Sequence, residues 1–398
     1  MKGCTFKRKL RSGKISWGYA LDVGKDENGK RKQIYKTGFK REGDAQAELT
    51  RLLNEKNEGQ LVKPAPTTFA AFMEEWFREH AERHCSAKTV ERYRQMAKAY
   101  ILPHIGHVSL PQISALMIER LLNRLRDSGG RGRKNSAERQ LSVKTVRHIA
   151  GLIHVALGTA VRWKLIRLNP CDAVQLPKVE RKEARVLDAE KLGWYLAVSR
   201  KYGLYEFLLM ASATGCRRGE LLALRWSDLD LHNGIARVSR SLEQTKSGLR
   251  IKGTKNDKPR LISLPPSALE ALNSIKASQE KLRNGFGPDY RKDLNLVFAN
   301  PNGDYLKPDS VTAKACLIAR KAGLPGISLH TLRHSHGSQL LSAGVSLPAV
   351  SKRLGHSSVY VTATVYSHAL SHDEIAAAEA WETAVSKLMH AGRDAAKQ

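Results

Sequence analysis

"HTLRHSHG", residues 330–337, sets His330, Arg333, His334 and His336 within eight residues of a strongly basic chain. On a helix, His330 and Arg333 are three apart and His334 lies four beyond His330, so one face can present two imidazoles and a guanidinium together. Three chemistries suit such a face: a metal site, a solvated basic surface, or a centre that handles phosphate. The zinc reading lacks the glutamate of an HExxH pair, because Thr331 and Leu332 stand there instead. It would also set a fixed cation beside a dication, and no carboxylate follows within a turn or two. A histidine titrating near neutrality next to an arginine suits a site where a phosphoryl group is held and protons move.

Two further stretches extend this pattern. In "TGCRRGELLALRWSDLD", residues 214–230, Arg217 and Glu220 stand three apart before an apolar helical run, so both can project from one side of a helix start. A guanidinium stays charged and binds phosphate through two parallel hydrogen bonds, which makes Arg217 a phosphate-binding candidate; standing alone, the motif reads as a surface Arg–Glu pair. In "LGHSSVYVTATVYSHAL", residues 354–370, His356 follows a glycine suited to ending a helix, and Tyr360 and Tyr366 come after it. With the turn lysine Lys255, the order Arg, Lys, His-x-x-Arg, Gly-His, Tyr is far more specific than any single member.

The 398 residues exceed one ordinary compact domain, so two or three domains are expected. Lys and Arg number 67 against 38 Asp and Glu, a formal net charge of +29. So positive a globular chain repels itself unless a polyanion neutralises it, which points to nucleic acid as the partner. A membrane surface is the alternative, but no run of about 18 apolar residues occurs, and the start at Met1 lacks the apolar stretch of a signal peptide. A soluble, cytoplasmic protein is therefore expected. Cys4, Cys85, Cys171, Cys216 and Cys316 are scattered, odd in number and without a CxxC pair, and read as reduced thiols. Cys216, among charged residues, carries the alternative of a nucleophile.

Residues 1–60 hold three strand-like runs, Thr5 to Leu10, Ser16 to Asp22 and Lys32 to Thr37, followed by a helical stretch from about Arg41 to Asn57. Their 15 Lys and Arg against 8 Asp and Glu suit either a sheet face laid in a DNA groove or a solvated face. "GQLVKPAPTT", residues 59–68, reads as a linker. Residues 67–170 show helical spacing throughout, a bundle of about four helices with Ser86 and Ser114 as N-caps and a basic loop at 128–140. A second linker at 168–186 precedes the last domain, 185–398. There, "GIARVSRSL", "LRIKGT" and "PRLISLP" read as three strands, with "KNDK" at 255–258 turning between the second and third. The whole is multidomain, mainly α with small β sheets: an N-terminal three-stranded sheet plus helix, a central helical bundle, and a C-terminal α+β domain.

Taken together, T-G-C-R-R-G-E, K-N-D-K-P-R-L-I-S-L, H-T-L-R-H, L-G-H and Y-S-H resemble the boxes of tyrosine recombinases of the phage or integrative-element integrase type. The resemblance covers almost the whole chain. It implies an arm-type DNA-binding domain over 1–60, a helical core-binding (SAM-like) domain over 67–170 and a catalytic domain with a C-terminal tail over 185–398. It further implies a site-specific DNA recombinase that cleaves and rejoins strands through a 3′-phosphotyrosine, with no metal or other cofactor. Carried over position by position, the catalytic residues are Arg217, Lys255, His330, Arg333 and His356, with Tyr366 as nucleophile and Glu220 supporting them. Lys252 and Lys258 compete with Lys255, and Tyr360 competes with Tyr366. Double-stranded DNA with core-type and arm-type attachment sites, a homotetramer on that DNA, a host DNA-bending protein and an excisionase are the partners implied. A non-catalytic DNA-binding regulator or architectural protein is the alternative from another class, a metallohydrolase the third, and the boxes alone also fit type IB topoisomerase chemistry.

Overall fold

The basic N-terminal stretch forms a meander in the computed structural model of the protein, which describes residues 3–9, 15–25, 31–57, 67–129, 140–179, 185–253, 259–366 and parts of 378–386. Strands β1 (Gly3–Lys9), β2 (Ile15–Lys25) and β3 (Arg31–Phe39) pair antiparallel in that order. Thr5 lies opposite Tyr19 and Leu21 opposite Ile34. Side chains alternate across a sheet, so Tyr19, Leu21 and Ile34 share the face covered by Leu49, Leu52 and Leu53 of helix α1 (Glu42–Asn57). The open face carries Phe6, Arg8 and the exposed Tyr35.

The helical stretch after Thr67 is built from α2 (Phe69–Trp76), α3 (Glu82–His84), α4 (Ala87–Met96), α5 (Leu102–Ile105), α6 (Ala115–Ser128) and α7 (Val143–Arg162). Ser86 and Ser114 cap α4 and α6, each hydroxyl accepting a backbone N–H at 3.3 Å. Two π-helical turns, Phe77–Ala81 and Ala97–Ile101, join α2 to α3 and α4 to α5. The second lies just ahead of Pro103, whose missing N–H interrupts the α-helical ladder. Phe69, Phe72, Trp76, Ile101, Ile149 and Ile153 fill the core, and the indole N–H of buried Trp76 is satisfied by Thr159 Oγ1 at 3.1 Å.

These elements fall in one compact unit, Met1–Glu180, and the remainder in a second, Arg181–Gln398. The second unit begins with α8 (Ala189–Arg200), α9 (Tyr205–Thr214) and α10 (Arg218–Leu222). Its β structure departs from the three strands expected. Strands β4 (Leu229–Asp230), β5 (Ile235–Val238) and β8 (Arg260–Ser263) form one antiparallel sheet, while β6 (Arg240–Thr245) and β7 (Gly248–Gly253) form a separate hairpin. The run read as one strand therefore divides at Ser239, where the chain changes pairing partner from β8 to β7. Ala236, Val238 and Leu242 are all buried at the same parity, so alternation continues through the break and conceals it. Accordingly β7 and β8 are not paired with each other, and the 254–258 segment expected as their turn lies outside the described residues.

Helices α11 (Pro266–Phe286), α12 (Pro308–Lys321), α13 (Leu329–Ser342), α14 (Leu347–Leu354) and α15 (Val359–Val365) complete the unit. Leu208, Met210, Leu222, Val297, Ile318 and Leu332 form the main core, and Leu341, Val350, Leu354 and Tyr366 a smaller one where α13, α14 and α15 meet. No described helix is long and apolar enough to cross a membrane.

Candidate active site

Two glycine-ended helices create the site. Gly215 after α9 and Gly355 after α14 both adopt left-handed backbone conformations, with φ of 64° and 67°, which a side chain at Cβ would strain. Helix C-termini leave carbonyls without intrahelical donors, and here arginines fill that role. Arg333, 2% exposed, donates from Nη1 to Gly215 O and from Nη2 to Leu354 O, both at 2.7 Å. Arg217 donates from Nη2 to Gly355 O at 3.1 Å. Residues far apart in sequence are thereby drawn to one point.

Arg217 stands at the N-cap of α10 and Glu220 one turn in, as their spacing suggests. The pair is not a surface ion pair: Glu220 is 3% exposed and its Oε1 accepts Arg217 Nη1 at 2.8 Å. Burial alone would raise the Glu220 pKa, but hydrogen bonds and charge from Arg260 and Arg217 outweigh it and hold the carboxyl below its usual range. Burial, with Arg217 nearby, lowers Arg333 to about 10, which leaves it protonated at neutral pH. Three guanidiniums, Arg217, Arg260 and Arg333, thus surround one carboxylate. The surplus of positive charge suits an anionic group.

His330, His334 and His356 line the same place. The His330 and His334 rings meet edge to face at 4.4 Å, and those of His334 and Tyr366 at 5.9 Å. His356 stacks over Tyr366 at 6.5 Å and shares a 2.7 Å hydrogen bond between Nδ1 and Thr362 Oγ1. Desolvation and then the Arg333 and Arg217 charges lower the pKa of His330, and the same causes bring His356 down to about 4. His356 is therefore neutral at pH 7, and the shift of His330 favours its neutral form. Tyr366 is 1% exposed, and burial pushes its pKa up to about 12 against the opposing pull of Arg333. Its hydroxyl makes a long contact, 3.4 Å, to Arg333 O. Tyr360, by contrast, is 75% exposed.

Of the six residues singled out from the sequence as catalytic, Arg217, His330, Arg333, His356 and Tyr366 come together, while Lys255 lies outside the described residues, as does Lys258. Lys252 pairs with Glu243 across the hairpin at 2.6 Å. Cys216 is buried, and burial pushes its thiol up, away from nucleophile chemistry. Among the described residues, no group of three or more His, Cys, Asp or Glu is arranged to hold a metal ion.

Several participants escaped the sequence reading. His334, to which the resemblance assigns no catalytic role, lies between His330 and Tyr366. Arg260 grips Glu220, and its signal was parity: it shares a strand face with buried Ile262. Gly337, mid-helix in α13, admits the phenol: a Cβ there would overlap Tyr366 Cζ and hydroxyl. An isolated glycine in a helical pattern was its signal. His336 is buried and accepts from Arg353 Nε at 3.0 Å, a structural role.

Three family models match in chain order: an arm DNA-binding domain over residues 5–56, the N-terminal SAM-like domain of phage integrases over 68–126, and the phage integrase family over 186–372. The chain is similar to a XerC-like tyrosine recombinase of Caldanaerobacter subterraneus subsp. tengcongensis, 26% identical over 393 residues, covering 93% of this chain and 96% of the relative. It is similar also to the ICEBs1 integrase of Bacillus subtilis, 28% identical over 294 residues, covering 71% and 76%. Its fold is shared with the Tn1549 transposon integrase in complex with a circular intermediate DNA, at TM-score 0.66 and 20% identity over 79% of this chain and 99% of that one. A lambda integrase dimer bound to a core site gives 0.54 and 19% over 90% and 94%.

Proposed function

The chain belongs to the phage integrase family and is a site-specific tyrosine recombinase, and from that premise we propose how its own residues cut and rejoin DNA. Arg217 and Arg333 hold the phosphoryl oxygens of the scissile linkage and offset the charge that grows on them in the transition state. Tyr366 attacks phosphorus, the bond to the 5′ oxygen breaks, and a 3′-phosphotyrosine forms. His330 takes the phenolic proton and Lys255 protonates the departing 5′ oxygen. His356 donates a hydrogen bond to a phosphoryl oxygen. Attack by a 5′ hydroxyl of another strand reverses the sequence, so bond energy is conserved and neither ATP nor a metal ion enters.

The observation that carries this reading is the convergence of Arg217, Arg333, His330 and His356 on one buried tyrosine. Burial and the Arg333 and Arg217 charges favour the neutral form of His330, the form that can accept a proton. The Tyr366 hydroxyl faces the Arg333 carbonyl, so attack requires the phenol to turn from that position. Exchange on two duplexes uses four such centres, hence a homotetramer on DNA. The residues 1–60 bind arm-type sites and 67–170 core-type sites, with a host bending protein and an excisionase setting direction, in the cytoplasm of a bacterial host.

A nicked duplex that traps the cleaved state tests the assignment. Wild-type protein and Tyr360→Phe should form a covalent DNA adduct and Tyr366→Phe none, while Arg217→Ala and Arg333→Ala should slow adduct formation by about 100-fold or more. Undiminished adduct from Tyr366→Phe would overturn it.

A further inference from the structure

Arg260 opens β8 with its side chain turned inward and almost wholly buried. Its Nη2 donates to Glu220 Oε2 at 2.6 Å and its Nη1 to Oε1 at 3.2 Å, while Nε donates to Arg353 O at 3.0 Å. Glu220 Oε2 also accepts the backbone N–H of Arg217 at 2.9 Å and Oε1 accepts Arg217 Nη1 at 2.8 Å. One carboxylate is thus clamped between two guanidiniums, and each guanidinium also holds a carbonyl at the end of α14: Arg353 O for Arg260 and Gly355 O for Arg217. The strand Arg260 heads follows directly on the segment that contains Lys255.

We propose that Arg260 is a positioning residue for strand cleavage: through Glu220 it fixes the guanidinium of Arg217, and through the Arg353 carbonyl it fixes the turn bearing His356. The proposal rests on the reading that Arg217 and His356 contact the scissile phosphate. Arg260 itself does not; its donors are committed to Glu220 and Arg353, with the Cys216 sulfur 3.8 Å away. A merely stapling ion pair would cost stability when broken, whereas a positioning pair costs rate in a folded, DNA-bound protein. A misplacement of about 1 Å at a reacting group is enough to slow chemistry by about 100-fold.

The full-length protein is tested with the nicked duplex, reading the adduct rate, DNA affinity and unfolding of Arg260→Gln, Arg260→Lys, Glu220→Gln and the Arg260→Gln/Glu220→Gln pair. Arg260→Gln should slow adduct formation by about 10- to 100-fold with DNA affinity within about threefold of wild type. The double variant should be no slower than the slower single, because both changes remove one contact. Arg260→Lys keeps a cation at Glu220 but cannot grip both oxygens and Arg353 O, so it should recover part of the rate. Glu220 faces Arg217, Arg260, Arg333 and Cys216; without Arg260 its buried carboxyl holds a proton more readily, so the acid limb of the rate profile should move to higher pH in Arg260→Gln and stay near wild type in Arg260→Lys. Wild-type rates in both variants would overturn the proposal. So would rate losses that multiply in the double variant, or a loss matching the unfolded fraction with the acid limb unmoved. If the glutamine variant does not fold, the lysine variant decides. Tyr366→Phe runs alongside: adduct retained there refutes the nucleophile assignment, while the Arg260 outcomes are still read on the wild-type adduct.

Discussion

His336 accepts a hydrogen bond from Arg353 Nε at 3.0 Å, so a proton on that ring nitrogen would face a guanidinium with no acceptor between them. Burial first, then the Arg353 charge, brings its pKa down to about 4, against about 6.5 for an unfolded histidine. Between those values the unfolded chain binds a proton that the folded chain refuses, so the stabilising contribution is whole above about pH 6.5 and is lost as pH falls toward 4. His356, also near 4, acts in the same direction. For His336 the loss between pH 7 and pH 5 is roughly 2 kcal/mol. Urea unfolding at the two pH values should show wild type losing more than His336→Gln; equal losses would remove His336 as the cause. At this scale the sequence displayed the residues that bear chemistry, because their types and order are distinctive: Arg217, His330, Arg333, His356 and Tyr366. It did not display the partners: the parity of Arg260 with Ile262 marks an inward position but not Glu220 as its partner, and Arg353 looks like any other arginine until the fold brings it to His336.

Among elements, α13 admits Tyr366, the residue that ends α15, because position 337 has no side chain. Alanine favours a helix interior over glycine by about 1 kcal/mol, yet an added methyl would overlap the Tyr366 ring and hydroxyl. Gly337→Ala should therefore lower the melting temperature despite its better helix propensity and expose Tyr366. Mass-spectrometric mapping of tyrosine nitration checks this: Tyr366 should be protected in wild type and modified in the variant, and unchanged protection would refute the overlap. Helices were legible as elements from spacing and caps, Ser86 and Ser114 included. The β5–β6 division was not, because Ala236, Val238 and Leu242 keep one parity through a change of pairing partner. Periodicity reports which face is buried and is silent on which strand lies alongside.

Across the whole molecule, a charge of +29 makes DNA affinity a matter of displaced counterions. Between 50 and 200 mM salt the affinity for a duplex of unrelated sequence should fall by about 1,000-fold or more, as fits six or more phosphate contacts. Fluorescence anisotropy across a salt series measures the slope; a nearly flat response would deny the basic surface its role. The open face of the N-terminal sheet carries Arg8 and the exposed Tyr35. Charge identified the class of partner from the sequence, whereas the sheet face available to it followed only from strand register.

Arg333 has one acceptor at Gly215 and the other at Leu354, near opposite ends of the second unit, and Tyr366 follows later still. During synthesis the guanidinium waits for nearly all of that unit to leave the ribosome before both acceptors exist. A chain that stops short of Leu354 therefore cannot seat that guanidinium, and its phosphate-binding centre stays unbuilt.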